Sequence, residues 1–521
     1  MCGSSFLKIV LLSSCLYACG KKDNGGQSIV EIIKDSTASL ITLTETDYRP
    51  AYHFTPARNW MNDPNGLVYN NGTYHLFYQY NPNASVWGPM NWGHATSTDL
   101  MNWKDESIAL TPDNLGTIFS GSAVVDANNT AGFKNGVQNP LVAIYTSAGA
   151  TQQQSVAYSN DGGFTWTKYN ANPVLPNPGI ADFRDPKVFW YAASSKWIMV
   201  LAVNDRIKIY SSFDLKAWTF ESDFGMSYGA HGGVWECPDL FPLTVEGTGT
   251  TKWILLVSLN GGPNGGTATQ YFVGDFDGKS FTIPENKTLW MDYGTDNYAG
   301  VTFNNIPNTD GRRILIGWMS NWNYAQNTPT TTWRSTMTVP RRLSLAQVSG
   351  NYILKSNPVV EYVAYKANNP DTSATGPLKW ISTKDNKIIK TGSYEIDFNA
   401  DLNTSTSFLF TLGNLKEKIY LSYDKAAQNI VVDRSGAGVD FANLLRQKIN
   451  CPFVPKAGQL TNFQILVDKT SMEIFVDDGE RVITTLFFPR YQYDLLKIEG
   501  DGTASAISNF NMKGISKSIN R

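Results

Sequence analysis

Three acidic residues stand in similar settings far apart in the chain: Asp63 in Trp60-Met61-Asn62-Asp63-Pro64-Asn65-Gly66, Asp185 in Phe183-Arg184-Asp185-Pro186, and Glu236 in Trp235-Glu236-Cys237-Pro238. Ser120 in Phe119-Ser120-Gly121-Ser122 and Tyr298 in Asn297-Tyr298-Ala299-Gly300 occupy the matching place in two further segments. A single Asp or Glu is usually a solvated surface charge. Carboxyls that recur beside Trp or Arg, two of them directly before proline, are not placed like surface charges. Clustered carboxylates without histidine ligands or a phosphate-binding loop fit glycoside cleavage, where one carboxylate attacks the anomeric carbon and a protonated carboxyl delivers a proton to the leaving oxygen. Trp235 and Cys237 flank Glu236 with apolar bulk that disfavours its charged form, so Glu236 is the expected acid. Asp63, between Asn62 and Asn65 as potential donors, is expected to stay ionised and attack. Arg184 makes its neighbour Asp185 a poor acid, and the expected task of Asp185 is to hold ring hydroxyls and stabilise positive charge on the sugar. A retaining pair requires the Asp63 and Glu236 carboxyls to lie about 5 to 5.5 Å apart.

The elements that must position these residues form a repeat. Five runs rich in aromatic and branched residues, at 74–78, 141–145, 197–201, 253–257 and 314–318, read as buried strands. Each follows a shorter strand-like run, at 66–69, 122–125, 186–189, 238–241 and 300–303, so a hairpin recurs five times. After four of the hairpins comes a turn built on Asp and then an aromatic: Asp99 and Trp103, Asp161 and Trp166, Asp214 and Trp218, Asp277 and Phe281. Repeats of about 50 to 65 residues with about four strands each are the pattern of propeller blades, which bury their faces only by stacking around an axis. The fold class expected is all-β, a five-bladed β-propeller over 48–342 followed by a C-terminal β-sandwich over 343–521. In the second region simple alternation takes over, most clearly in a hairpin of 472–476 and 482–486 turned at Asp477-Asp478-Gly479. No carboxylate pair or aromatic triad marks a function there.

Composition narrows the partners. A net charge of −2 and the lack of a dense Lys/Arg run give no field for nucleic acid. The four histidines, His53, His75, His94 and His231, form no zinc-type spacing, and neither metal nor cofactor is expected. Aromatics make up 13% of the chain, which suits both sheet packing and the stacking of sugar rings. Gly261-Gly262-Pro263-Asn264-Gly265-Gly266 lacks the Lys-Ser/Thr of a phosphate loop and reads as a flexible rim. At the N-terminus Lys8 precedes a short apolar run that ends in Leu16-Tyr17-Ala18-Cys19-Gly20. This resembles a bacterial lipobox, which implies a signal peptide over 1–18, lipid on Cys19 and a flexible tether over 19–47. The expected location is the cell envelope, with the lipid as the only membrane contact. Cleavage would leave Cys237 and Cys451 as the other cysteines, too few for a disulfide framework.

Together, Trp-Met-Asn-Asp-Pro-Asn-Gly, Phe-Ser-Gly-Ser, Phe-Arg-Asp-Pro-Lys-Val and Trp-Glu-Cys-Pro-Asp-Leu-Phe resemble glycoside hydrolase family 32, the invertase, inulinase and levanase family. The resemblance runs from about Arg49 through most of the chain and implies a propeller and sandwich acting on β-fructosyl linkages. It implies Asp63 as nucleophile, Glu236 as acid/base and Asp185 as transition-state stabiliser, with Asn62, Gln79, Trp87, Ser120, Arg184 and Trp318 lining the pocket for a terminal fructose. The stretch 266–278 resembles exo-acting inulinases and levanases more than plant invertases, which implies release of fructose from levan, inulin and sucrose. Endo-acting levanase action, fructosyl transfer and non-catalytic fructan binding are the alternatives. Oligomeric state is left open.

Overall fold

In the computed structural model, residues 40–516 are described, apart from 371, 375–379, 385 and 502–506. The expected signal peptide, Cys19 and most of the tether lie outside these residues. Apolar runs in the first two thirds form five sheets of antiparallel hairpins arranged as blades, whose first strands are Asn59–Asn70, Thr117–Val125, Phe183–Tyr191, Trp235–Thr244 and Tyr298–Thr302. In each blade the central strands are nearly continuous apolar runs such as Trp197-Ile198-Met199-Val200-Leu201, buried on both faces between neighbouring blades. The Asp turns end the third strands as expected. Asp99, Asp161, Asp214 and Asp277 each accept two main-chain N–H groups from two to four residues downstream, at 2.7–3.1 Å. Trp333–Arg334, an excursion from the fifth blade, pairs in parallel with Asn59–Trp60 and ties that blade to the first.

The fifth blade also takes Arg341–Val348 and Asn351–Pro358 as its outer strands. The boundary expected at 342 therefore falls inside a strand, because Arg341–Leu343 pair with Arg313–Leu315 and hold that strand in the propeller. The sandwich follows as two six-stranded sheets, with Tyr394–Ala400 and Phe408–Gly413 central to their respective sheets. Phe398, Phe408, Phe410 and Phe463 stack between them with centroids 5.0–6.3 Å apart. The expected hairpin is Ser471–Val476 with Arg481–Leu486, and Asp477, Asp478 and Gly479 all adopt positive φ at its turn.

Two segments expected to be flexible are held. Ile41, Thr42 and Leu43 bond main chain to main chain with 490–492, and the Glu45 carboxylate accepts four hydrogen bonds from Thr331 and Thr332 at 2.7 Å, so the last residues assigned to the tether are packed on the folded body. In the glycine-rich loop Asn264 grips the main chain of Asn450 in the sandwich, accepting from its N–H at 2.8 Å and donating to its C=O at 2.9 Å. A side chain at Gly266 would collide with Asn321, since its Cβ would lie 2.4 Å from that amide.

Candidate active site

Every first strand carries a bulge near its pocket end, two of its residues standing opposite one on the second strand. The pairs are Asn62-Asp63 opposite Gln79, Phe119-Ser120 opposite Thr146, Asp185-Pro186 opposite Leu201, Cys237-Pro238 opposite Val257, and Ala299-Gly300 opposite Gly317. A bulge turns side chains out of the regular pleat, and here the same irregularity recurs around the axis. Asp185, Cys237 and Ala299, each the first bulged residue, have φ of 63°, 44° and 54°, a strained region costing of order 1–3 kcal/mol per residue and characteristic of functional sites. The candidate residues thus lie within the first strands, not ahead of them. They are also offset: Asp63 and Ser120 are second in their bulges, Asp185 is first, and Glu236 and Tyr298 immediately precede theirs. The five sites share one level of the funnel without being strictly equivalent.

Four of them, Asp63, Ser120, Asp185 and Glu236, line a pocket of about 300 Å³, large enough for a small ligand, and Tyr298 reaches it through its bond to Glu236. Asn62, Asp63, Gln79, Trp87, Ser120, Arg184, Asp185 and Glu236 line it together. Trp318 does not. It sits on the second strand of its blade, fully buried behind Trp60 and Trp322 at centroid distances of 6.1 and 4.8 Å, and supports the wall from outside the pocket. Trp322 lines the pocket instead, from a turn where no periodicity in the sequence reports which ring faces inward. Phe119, Gln152 and Asp182 complete the lining. Two of these were within reach of the motifs, since Phe119 adjoins Ser120 and Asp182 stands two residues before Arg184; Gln152 carried no signal.

Asp63 accepts hydrogen bonds from Ser120 Oγ at 2.7 Å, from Asn62 Nδ2 at 3.1 Å and from Cys237 Sγ at 3.4 Å. Trp60 Nε1 donates to Asn62 Oδ1 at 2.7 Å and fixes that amide. Asn65 does not serve the carboxylate; it donates to the Asp63 main-chain carbonyl at 2.9 Å. Burial, with the charge of Glu236, raises the Asp63 carboxyl above its ordinary range, against the three donors that pull it down.

The sequence neighbours of Glu236 are not the groups at its carboxyl. Arg184 Nη2 donates to Oε1 at 2.9 Å and the Tyr298 hydroxyl donates to Oε2, while the Trp235 indole donates to Ala230. Burial keeps the Tyr298 hydroxyl protonated, so it acts as a donor. Arg184 likewise serves Asp185 less than adjacency suggested, its Nε standing 3.9 Å from Asp185 Oδ2. Gln152 Oε1 at 3.3 Å and the Asp182 carboxylate hold the rest of the guanidinium. Asp185 accepts the Cys237 main-chain N–H at 3.1 Å. Burial pushes its carboxyl up to about 7, with Glu236 and Asp63 adding to the rise and Arg184 opposing it. The Gln79 side chain is buried in the pocket wall, and its Nε2 has no protein partner. Trp87 is 44% exposed at the rim, edge-on to Phe119 at 6.2 Å. An ionisable cluster of this kind, with fixed donors on each carboxylate, is suited to acid, base and nucleophilic chemistry on a polyhydroxylated ligand.

Comparison with known proteins agrees. Residues 53–358 match the glycosyl hydrolases family 32 N-terminal domain, and residues 362–514 match the glycosyl hydrolases family 32 C terminal. A levanase of Bacillus subtilis (strain 168) is 49% identical over 458 residues, covering 85% of this chain and 67% of the levanase. An extracellular exo-inulinase of Aspergillus niger is 42% identical over 485 residues, covering 85% and 90%. The crystal structure of exo-inulinase from Aspergillus awamori has the same fold, with a TM-score of 0.83 at 37% identity, covering 90% of this chain and 98% of the other. With both family domains matched across most of its length, and a carboxylate pocket at the mouth of the propeller, the chain belongs to glycoside hydrolase family 32.

Proposed function

We propose that this enzyme releases fructose from the non-reducing ends of levan and inulin, and from sucrose, with retention of configuration. The observation that carries the reading is the pairing in one pocket of Asp63 and Glu236, each held by separate fixed donors. In the proposed first step an Asp63 oxygen attacks C2 of the terminal fructosyl unit, the C2–O bond to the rest of the chain breaks, and Glu236 gives its proton to the departing oxygen. In the second, Glu236 takes a proton from water as that water displaces Asp63 from C2, returning both groups to their starting state. Asp185 accepts hydrogen bonds from ring hydroxyls and faces the positive charge that builds on the ring. The unpartnered Gln79 Nε2 supplies a donor that the protein does not satisfy, as a site for a sugar hydroxyl requires. The exo reading is supported by the likeness to exo-inulinases over 85 to 90% of this chain. Chromatography of the first products from levan and inulin tests it: free fructose is expected from the earliest time points, and a ladder of oligosaccharides without fructose would refute it.

We also propose that Cys19 carries lipid and holds the enzyme at the cell envelope, on the strength of Leu16-Tyr17-Ala18-Cys19-Gly20 after an apolar run. Metabolic labelling with a radioactive fatty acid should mark the wild-type protein and leave Cys19→Ser unlabelled; equal labelling of both would remove the proposal.

A further inference from the structure

The pocket wall is braced from the second domain. Arg434, on the sandwich strand Asn429–Gly436, has a fully buried guanidinium that reaches into the propeller. Its Nη1 donates to Asp296 Oδ2 at 2.8 Å, and its Nη2 donates to Thr295 Oγ1 at 2.7 Å and to the Tyr324 hydroxyl at 3.2 Å. Its charge also lies over the Tyr324 ring, 5.7 Å from the centroid. Tyr324 in turn donates to Asp296 Oδ1.

Two short paths lead from this buried knot to the pocket. Asp296 lies two residues before Tyr298, whose hydroxyl holds Glu236. Tyr324 lies two residues after Trp322, in a turn closed by Tyr324 N–H to Asn321 C=O at 3.0 Å and anchored by Asn321 Nδ2 to Thr295 C=O at 2.7 Å. Trp322 lines the pocket and stacks on Trp60 at 5.8 Å, and Trp60 fixes Asn62. A charge buried this completely is costly unless it is paired. Arg434 Nη1 also donates to the Leu486 C=O at 2.6 Å, and its Nε has no partner among the described residues, but the groups it meets in the propeller, Asp296 and Tyr324, stand two residues from Tyr298 and from Trp322.

We infer that Arg434 is a positioning residue for the active site: the sandwich sets, through Tyr324 and Asp296, where Trp322 stands in the pocket and how Tyr298 meets Glu236. The inference rests on the hydrolase reading of that pocket, but it makes a prediction that needs no turnover.

Arg434→Lys and Tyr324→Phe test it, the second removing one hydroxyl while keeping the ring. Each is made with and without Trp322→Phe, so that the emission of Trp322 is read as a difference spectrum, and melting temperature, kcat and KM on inulin are measured alongside. The expected result is a shifted Trp322 emission in both variants and a KM raised by about tenfold in Arg434→Lys, well below the melting temperature, with a smaller change in kcat. Tyr324→Phe, which leaves the Arg434 pair with Asp296 intact, is expected to fall between it and wild type. A Trp322 emission and a KM both equal to wild type in folded variants would overturn the inference, as would a lowered melting temperature with neither of them moved. A shifted emission in a protein whose wild type releases no fructose would uphold the positioning role and reject the hydrolase reading.

Discussion

Arg184 Nη2 lies 2.9 Å from Glu236 Oε1, whereas its Nε stands 3.9 Å from Asp185 Oδ2. The arginine that adjoins Asp185 in sequence is thus chiefly a partner of Glu236, across the gap between two blades. Lysine at this position keeps the charge but loses the planar fork that meets Glu236, Gln152 and Asp182 together. Arg184→Lys should lower kcat/KM by about 10²-fold. Steady-state kinetics on inulin check this, and an unchanged kcat/KM would mean that Arg184 is dispensable to Glu236.

The Ser120 hydroxyl stabilises the ionised form of Asp63, a group that burial already raises. Removing the donor raises the Asp63 pKa further, so less of the enzyme carries an ionised nucleophile at a given acid pH. In Ser120→Ala the acid limb of the kcat/KM profile should therefore move to higher pH, by up to about one unit. A limb that stays in place or moves down would show that Asp63 does not govern it.

Gln79 gives a test in which binding and stability part company. Its Nε2 is buried without a protein partner, so Gln79→Met removes an unsatisfied donor from the fold and a hydrogen bond from the bound sugar. KM should rise by about tenfold while the melting temperature holds or increases. A fall in melting temperature with KM unchanged would mean that Gln79 serves the fold alone.

The junction of the two domains should make stability depend on pH. His53 is buried between Asp468 Oδ2 at 2.8 Å and Glu473 Oε1 at 2.6 Å, and Glu473 also pairs with Arg341. Against the opposing effect of burial, the two carboxylates raise His53 to about 9, and His53 and Arg341 lower the carboxylates. A histidine raised in the folded state stabilises fully below its unfolded pKa of about 6.5 and ceases to do so as pH climbs through about 9. The lowered carboxylates contribute above their unfolded values, near 4, and lose that contribution in acid. Denaturation in urea should show greatest stability at about pH 5 to 6.5. His53→Ala, which strips the buried Asp468 carboxylate of its cation and leaves Glu473 with Arg341 alone, should cost about 3–5 kcal/mol there. Flat stability from pH 6 to 9 would argue against a charged His53.

Much of this was legible because a repeat reports on itself. Five apolar hairpins of similar spacing required stacking neighbours, and the acidic residues at matching places required a common funnel. The bulges were not legible, since the offset that separates Asp185 from Glu236 is a matter of pairing between strands. Adjacency along the chain misled at Glu236, where Trp235 and Cys237 turn elsewhere and the deciding groups, Arg184 and Tyr298, come from neighbouring blades. The resemblance, not adjacency, named Trp318, on the second strand, whereas the ring that lines the pocket is Trp322 in the turn beyond. The contacts between the domains join residues such as His53 and Glu473, 420 positions apart, and no local pattern announces them.

Time-resolved NMR of inulin digestion tests the central claim most directly, because it reads which product forms first and the anomeric form in which it leaves the enzyme. The pocket chemistry described here predicts fructose as the first product, released as the β-furanose before mutarotation. Early release of α-fructofuranose would contradict a nucleophilic Asp63, and early oligosaccharides without fructose would contradict cleavage at chain ends.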